Sequence, residues 1–468
     1  MSDFDFSANT EKFSADLLDE LRLFSAFYDG SPIRVDFSDS VTLCASVVVG
    51  EFSKKFDSPL PCGDRLEVKR ITKRFLKTAL YDTLSEHYGV KLPWGSLTGV
   101  RPTKLAYDYL SRGGSPDGIS SYMQSVFRVD GKHADIIEKI IDVQRPYIED
   151  LSDKVNLYIH VPYCDGKCIY CSFPSADVNA KNSRLGEYLD ALIKEISVVK
   201  EFIARNGKRI LSVYIGGGTP SVLDANGISR LLRATDMHGA EFTFEAGRPD
   251  SITRDKLKAM RDGGVTRVCI NPQTLNDRTL ERIGRRHTTA QFFEAYETAA
   301  EYGFDINTDI IAGLGGENLD DFIRTVDGIY DLSPSNVTVH TLCRKRGSGL
   351  ADSAIYSAEA ERMTEYAANK LSGYVPYYLY RQKNMVGNLE NIGYALSGHE
   401  CINNITVMEE LAPVYACGAG SISKLLGGAI ARHASPKDIG LYLSEFDERL
   451  KQKLNFFSCA ETSHNFLP

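Results

Sequence analysis

From residue 156 onward, short apolar runs alternate with longer stretches whose apolar residues recur at helical spacing. Runs at 157–161, 211–215, 242–245, 267–270, 305–310 and 336–340 have the length of strands. Between them lie helix-spaced stretches such as 185–203, 253–261, 291–302 and 319–332. Six strands with intervening helices predict repeated βα units and hence a parallel sheet. Right-handed crossovers wind such a sheet toward an open or closed barrel. Ligands of these sheets sit at the carboxyl ends of the strands, so a candidate site residue can be tested by whether it falls there.

The flanks follow other patterns. Residues 1–150 open with a helical stretch, followed by strand-like runs at 33–37 and 41–49 and a long amphipathic helix over 64–88. A turn-rich passage around Pro93, Gly95, Gly99 and Pro102 separates that helix from further helical pattern up to residue 148. Residues 346–468 mix helix and strand signals and are rich in tyrosine. The expected organisation is an α+β amino-terminal domain over 1–150, a partial (β/α)6 barrel over 151–345, and an α/β region over 346–468 that caps the barrel's open side.

Composition narrows the chemistry. The 468 residues are 43% hydrophobic and 25% charged, enough to bury a large core without disulfides. With 54 basic and 62 acidic residues the net charge is −8, which argues against a nucleic-acid binder or an anionic-membrane binder. An anionic ligand must therefore meet a local basic patch. The longest mostly apolar stretch, 41–49, is too short to span a bilayer, and residues 1–19 lack the layout of a signal peptide. A cytoplasmic setting is expected, where clustered cysteines mean metal or catalysis rather than disulfides.

Cys164, Cys168 and Cys171 form such a cluster directly after the first barrel strand, in a C-x3-C-x2-C spacing. Three thiolates on one loop can converge on one metal centre, and soft sulfur selects zinc, copper(I) or iron–sulfur. A structural zinc site needs a fourth protein ligand, which only His160 could offer nearby, and there is no second knuckle. An iron–sulfur cluster with three cysteine-bound irons and one open iron fits the spacing better.

The segment Tyr158-Ile159-His160-Val161-Pro162-Tyr163-Cys164, with Tyr170 before Cys171, resembles the signature of the radical S-adenosylmethionine superfamily, and more narrowly the oxygen-independent coproporphyrinogen III oxidase family. Gly216-Gly217-Gly218-Thr219-Pro220, ending the second strand, is similar to that family's glycine motif. Tyr380-Arg381-Gln382-Lys383-Asn384, Cys417-Gly418-Ala419-Gly420-Ser421-Ile422-Ser423 and Gly99-Val100-Arg101-Pro102-Thr103-Lys104 resemble its coproporphyrinogen dehydrogenase branch. One departure stands out. Phe173 occupies the place of a fourth cysteine found in the oxidases and missing from the family's haem-chaperone branch.

The resemblance implies a 4Fe–4S cluster on Cys164, Cys168 and Cys171, and one or two molecules of S-adenosylmethionine. It implies cofactor contacts from Tyr158, Tyr170, Gly217, Gly218, Thr219, Glu245, Gln273, Arg285, Asp309 and Ile422. Glu245, Gln273 and Asp309 would bond ribose hydroxyls, and Arg285 would pair with the methionine carboxylate. The implied reaction takes hydrogen from a propionate β-carbon of coproporphyrinogen III. Loss of carbon dioxide and an electron then leaves the vinyl group of protoporphyrinogen IX. Such an enzyme also needs an electron donor. A tetrapyrrole with four carboxylates calls for a cationic rim, with candidates Arg344, Lys345, Arg346, Arg381 and Lys383. Tyr377, Tyr378 and Tyr380 either line a flat tetrapyrrole or form a half-buried strand. The other function open at this point is a haem-binding chaperone that delivers haem to client proteins.

Overall fold

The computed structural model describes residues 4–99, 101–237, 239–343, 349, 359–382, 385–427 and 430–462. The chain forms two compact units, one of residues 1–141 with 381–383, the other of residues 142–380 with 384–468.

The amino-terminal unit is built on a four-stranded sheet, β1 (Phe6–Ala8), β2 (Ile33–Ser38), β3 (Thr42–Val49) and β4 (Phe52–Pro59), in that order. β1 runs parallel to β2, and the remaining pairs are antiparallel. On β3, Leu43, Ala45, Val47 and Val49 alternate inward, as the period of two requires. Against them lies the helix Arg65–Tyr88, which buries Leu76, Leu80 and Leu84. It begins at Asp64, whose carboxylate accepts from the amides of Leu66 and Glu67, and it stops at Gly89 in the left-handed region. The pattern predicted β2, β3 and this helix. It did not show β1, which has only three residues, or β4, a half-exposed strand carrying Lys54 and Lys55.

In the second unit the six predicted strands form as β5 (Lys154–Val161), β8 (Arg209–Gly217), β9 (Glu241–Gly247), β10 (Arg267–Ile270), β11 (Asp305–Ala312) and β12 (Asn336–Thr341). The intervening labels belong to a small parallel pair in the loop after β5: β6 (Tyr163–Cys164) and β7 (Ala176–Asp177). The six strands pair in chain order, all parallel. Their side chains are buried on both faces, as expected for a sheet under helices.

The carboxy-terminal strands join this same sheet, so the expected cap takes the form of edge strands. β14 (Asn391–Ala395) pairs antiparallel with β12, and β13 (Val375–Tyr380) lies outside it. On the other edge β15 (Val414–Cys417) runs parallel to β5, followed by β16 (Ile422–Leu425) and β17 (Ala431–Ala434). An open barrel has two edges with unsatisfied amides and carbonyls, and pairing them is the physical reason for this arrangement. The sheet thereby reaches eleven strands. No helix among the described residues is long and apolar enough to cross a membrane.

Candidate functional site

The loop after β5 carries the three cysteines. Cys168 is buried, and Cys164 and Cys171 are partly exposed. Several ties fix the loop. The Ile169 amide donates to Ile283 O at 3.0 Å, and the Arg286 guanidinium donates to the Asp165 carboxylate at 2.7 Å. The buried Arg248 donates to the main-chain carbonyl of Asp165 and is itself held by both oxygens of Asp250, at 2.9 and 3.2 Å. Burial works against the Arg248 charge, but Asp250 and then the thiols of Cys168 and Cys164 hold it more firmly protonated than an ordinary arginine.

The glycine motif at the end of β8 packs against this loop. Thr219 places its hydroxyl 3.2 Å from the Cys164 sulfur, and its amide donates to Tyr163 O at 2.7 Å. Gly217 has φ +121, and a Cβ there would lie 2.4 Å from the His160 ring. A Cβ on Gly218 would lie 2.3 Å from Tyr163 O. The glycines thus admit the end of β5 and the approach to Cys164, where the sequence had suggested a ligand. His160 is a buried histidine whose Nδ1 lies 2.5 Å from Ala419 O, with burial holding its pKa below the usual value. The Cys417–Ser423 motif is the turn from β15 to β16 behind it. Gly418 there donates to Glu195 at 2.7 Å, and Ile422 stands half-exposed at the start of β16.

Across the sheet, the carboxyl ends of successive strands present a belt of polar side chains. It starts at Tyr158 on β5, whose ring centroid lies 6.2 Å from that of Tyr214 on β8. The Tyr214 hydroxyl donates to Glu245 on β9. Asn271, just past β10, donates to Glu245 at 2.8 Å and accepts from the Asp309 amide at 3.1 Å. Asp309 on β11 lies 3.4 Å from Nε2 of His340 on β12. Burial, and then the Asp309 charge, pushes the Glu245 carboxyl up to about 7. Gln273 also joins this face. It adopts φ +70, bridges to Ile310, and its amide donates to Asp309 O at 3.1 Å. A non-glycine residue held in that region at a strand end is stored strain of about 1–3 kcal/mol, of the kind found at functional sites.

Arg285 is buried and knits three of these elements together. Nη2 donates to Gly247 O at 2.9 Å and Asn271 O at 2.5 Å, Nη1 to the Tyr170 hydroxyl at 3.1 Å, and Nε to His287 Nδ1 at 3.3 Å. Four of its five N–H bonds are therefore engaged. That leaves one N–H for a ligand carboxylate. Burial, followed by the Arg285 charge, drives His287 down to about 3, so its imidazole is neutral.

Arg381 corrects a sequence expectation. It packs with the amino-terminal unit and is 3% exposed, with its guanidinium 5.0 Å over the Trp94 ring and Nη1 donating to Leu97 O at 2.6 Å. A side chain so committed does not reach out to a propionate. Tyr377 and Tyr378 are likewise core residues, because β13 is sandwiched rather than open on one face. Arg344, Lys345, Arg346 and Lys383 lie outside the described residues.

The comparisons agree with this geometry. The model of the radical SAM superfamily matches residues 158–329. The oxygen-independent coproporphyrinogen-III oxidase-like protein HemZ of Bacillus subtilis (strain 168) is 35% identical over 431 residues, covering 87% of this chain and 85% of the relative. The chain belongs to the oxygen-independent coproporphyrinogen-III oxidase-like family of radical SAM proteins. The heme chaperone HemW of Lactococcus lactis subsp. lactis (strain IL1403) is 29% identical, over 64% of this chain and 76% of its own. Coproporphyrinogen III oxidase (HemN) from Escherichia coli shares the fold, with TM-score 0.53 and 21% identity over 69% of this chain and 74% of that one.

Membership of the radical SAM superfamily implies use of S-adenosylmethionine and a 4Fe–4S cluster. Among the described residues no three His, Cys, Asp or Glu side chains stand close enough to hold a metal ion as placed. The donor set nevertheless fits the group. Three thiols lie within eight residues on one loop, and the buried guanidiniums of Arg248 and Arg285 hold that loop at the Asp165 carbonyl and the Tyr170 hydroxyl. The sequence did not single out Arg248, Asn271, Tyr214 or His340. Arg248, three residues after Glu245 and just past the end of β9, could have been found by the strand-end test.

Proposed function

We propose that this protein carries out the oxygen-independent oxidative decarboxylation of coproporphyrinogen III to protoporphyrinogen IX in porphyrin and haem biosynthesis. One observation carries the reading: the three-thiol loop after β5 shares the strand-end face with Glu245, Gln273 and Asp309, in a chain 35% identical to HemZ over most of both lengths. Cys164, Cys168 and Cys171 would hold the cluster. Tyr158, Tyr170, Gly217, Gly218, Thr219, Glu245, Gln273, Arg285, Asp309 and Ile422 would form the pocket for one or two S-adenosylmethionines. When bound, cluster and cofactor supply a carbon-centred radical able to take hydrogen from an unactivated carbon.

The chain's own residues have distinct tasks in this reading. Thr219 and the Asp165 ties keep the cysteine loop seated, and Arg285 adds a bond to the Tyr170 hydroxyl. Glu245, with its carboxyl titrating near neutrality, can both accept from and donate to a ribose diol. Tyr158 and Tyr214 wall the face with rings, which leaves little bulk water beside a reactive carbon. Each of the two propionates that react gives up a β-hydrogen atom, carbon dioxide and one electron to become a vinyl group, and the other two stay as carboxylates. Arg344 and Arg346 would meet the carboxylates. A reductant for the cluster and a cytoplasmic setting complete the proposal.

The test is anaerobic incubation with coproporphyrinogen III, S-adenosylmethionine and a reductant, followed by fluorescence. A shift to protoporphyrin supports the enzyme. The similarity to HemW favours a second reading, a haem carrier, while Phe173 fits both readings. Stoichiometric haem binding without turnover would decide for it.

A further inference from the structure

We propose that His340 is a positioning residue that sets the Asp309 carboxylate for its ligand. The argument begins with Asn391 at the start of β14. Its Oδ1 accepts from the Thr341 amide at 3.1 Å, and its Nδ2 donates to Tyr380 O at 3.3 Å, which fixes the orientation of the amide. That same Oδ1 lies 3.2 Å from His340 Nδ1, so Nδ1 must carry a hydrogen. The Tyr380 hydroxyl, 3.4 Å from the same nitrogen, can accept from it as well.

With Nδ1 committed, Nε2 is the atom that faces Asp309 Oδ2 at 3.4 Å. That approach sets the edge of the imidazole beside the carboxylate. Asp309 is thus oriented from β12 through its side chain and from Asn271 through its amide. Both side chains are about a quarter exposed, 26% for Asp309 and 24% for His340. The charged and titratable groups facing His340 are Asp309 on β11 and Tyr380 on β13.

This inference rests on the reading of Asp309 as a cofactor contact, and the two can be separated. Binding of S-adenosylhomocysteine, which is not cleaved, is measured by calorimetry on the anaerobically reconstituted full chain. Asp309→Asn should weaken it about tenfold, and His340→Phe about fivefold, near 1 kcal/mol. His340→Gln should recover most of that loss, since its amide can donate to Asp309. The double variant Asp309→Asn, His340→Phe should bind no worse than Asp309→Asn alone. An unchanged Asp309→Asn overturns the reading of the carboxylate. A weakened Asp309→Asn with an unchanged His340→Phe, or additive losses in the double variant, overturns the role of His340. Nitrogen-15 spectra of histidine-labelled wild-type protein need no variant at all. They should show His340 protonated at Nδ1, and a neutral ring protonated at Nε2 alone would overturn the proposal.

Discussion

The Arg248 guanidinium donates to the main-chain carbonyl of Asp165, the residue directly after Cys164. Because Asp250 holds Arg248 from the other side, the first turn of the cysteine loop is tied to the end of β9 by a side chain with little freedom to move. Replacing Arg248 alone would leave Asp250 as a nearly buried, uncompensated charge, at a cost of several kcal/mol. The cleaner change is the pair Arg248→Gln, Asp250→Asn. The doubly substituted protein should fold, and should lose iron to a chelator several times faster than wild type at equal starting occupancy. Equal rates would remove Arg248 from the loop's support.

The assignment of the thiols makes a simpler prediction. Cys→Ala at Cys164, Cys168 or Cys171 should abolish the visible absorption band of the reconstituted protein. Cys269 on β10 and Cys343 just after β12 are also buried, and their alanine variants should keep it. A cluster retained after losing any one of the three would refute the ligand set.

Arg285 should show a double effect. Arg285→Ala removes bonds to Gly247, Asn271 and Tyr170, so the melting temperature should fall while the cluster band persists. Binding of S-adenosylmethionine should weaken by about 1.5–3 kcal/mol, the range for hydrogen bonds to a charged group. Arg285→Lys should restore neither, because a single ammonium cannot span three acceptors on different elements. Calorimetry and a thermal scan on the same samples check both halves.

Arg381→Ala should act on stability and spare substrate handling. It loses the bond to Leu97 O and the stacking on Trp94, together about 1–3 kcal/mol. Trp94 is the chain's single tryptophan, so its fluorescence reports this unit directly. The unfolding midpoint followed at Trp94 should drop, while the KM for coproporphyrinogen should stay within about twofold of wild type. A large rise in KM at normal stability would return Arg381 to the substrate site.

Glu20 supplies a pH dependence in the same unit. It is fully buried with Lys77 Nζ 3.2 Å away, and burial pushes its carboxyl up to about 7. A raised carboxyl favours the folded state below the unfolded value of 4.5, and that contribution is lost as pH rises through about 7. The midpoint at Trp94 should therefore fall between pH 5 and pH 8 in wild type and fall less in Glu20→Gln. Parallel profiles for the two proteins would contradict the buried carboxyl.

The residues themselves determine a good deal of this protein. The six barrel strands, the helices such as Leu185–Arg205 and Leu319–Asp331, and the helix capped by Asp64 all follow from spacing. Helical and strand periods are set by the backbone within a few residues, so they are legible locally. The cysteine loop is legible for the same reason, with three cysteines inside eight residues, as are Glu245 and Asp309 near strand ends. Tertiary structure decided which side chains those groups meet. Asp165 and Arg248 are 83 residues apart, Tyr170 and Arg285 are 115 apart, and Leu97 and Arg381 are 284 apart. Such partners depend on which strands lie side by side and which edges are left to be paired. No local period encodes that. Arg381 reads in sequence as one more exposed cation beside tyrosines, and only the packing of Trp94 and Leu97 around it makes it part of a core. His340 reads as the last residue of an apolar strand. Its pairing with Asp309 exists because β11 and β12 are neighbours and because β14, arriving from 50 residues further on, fixes the imidazole through Asn391.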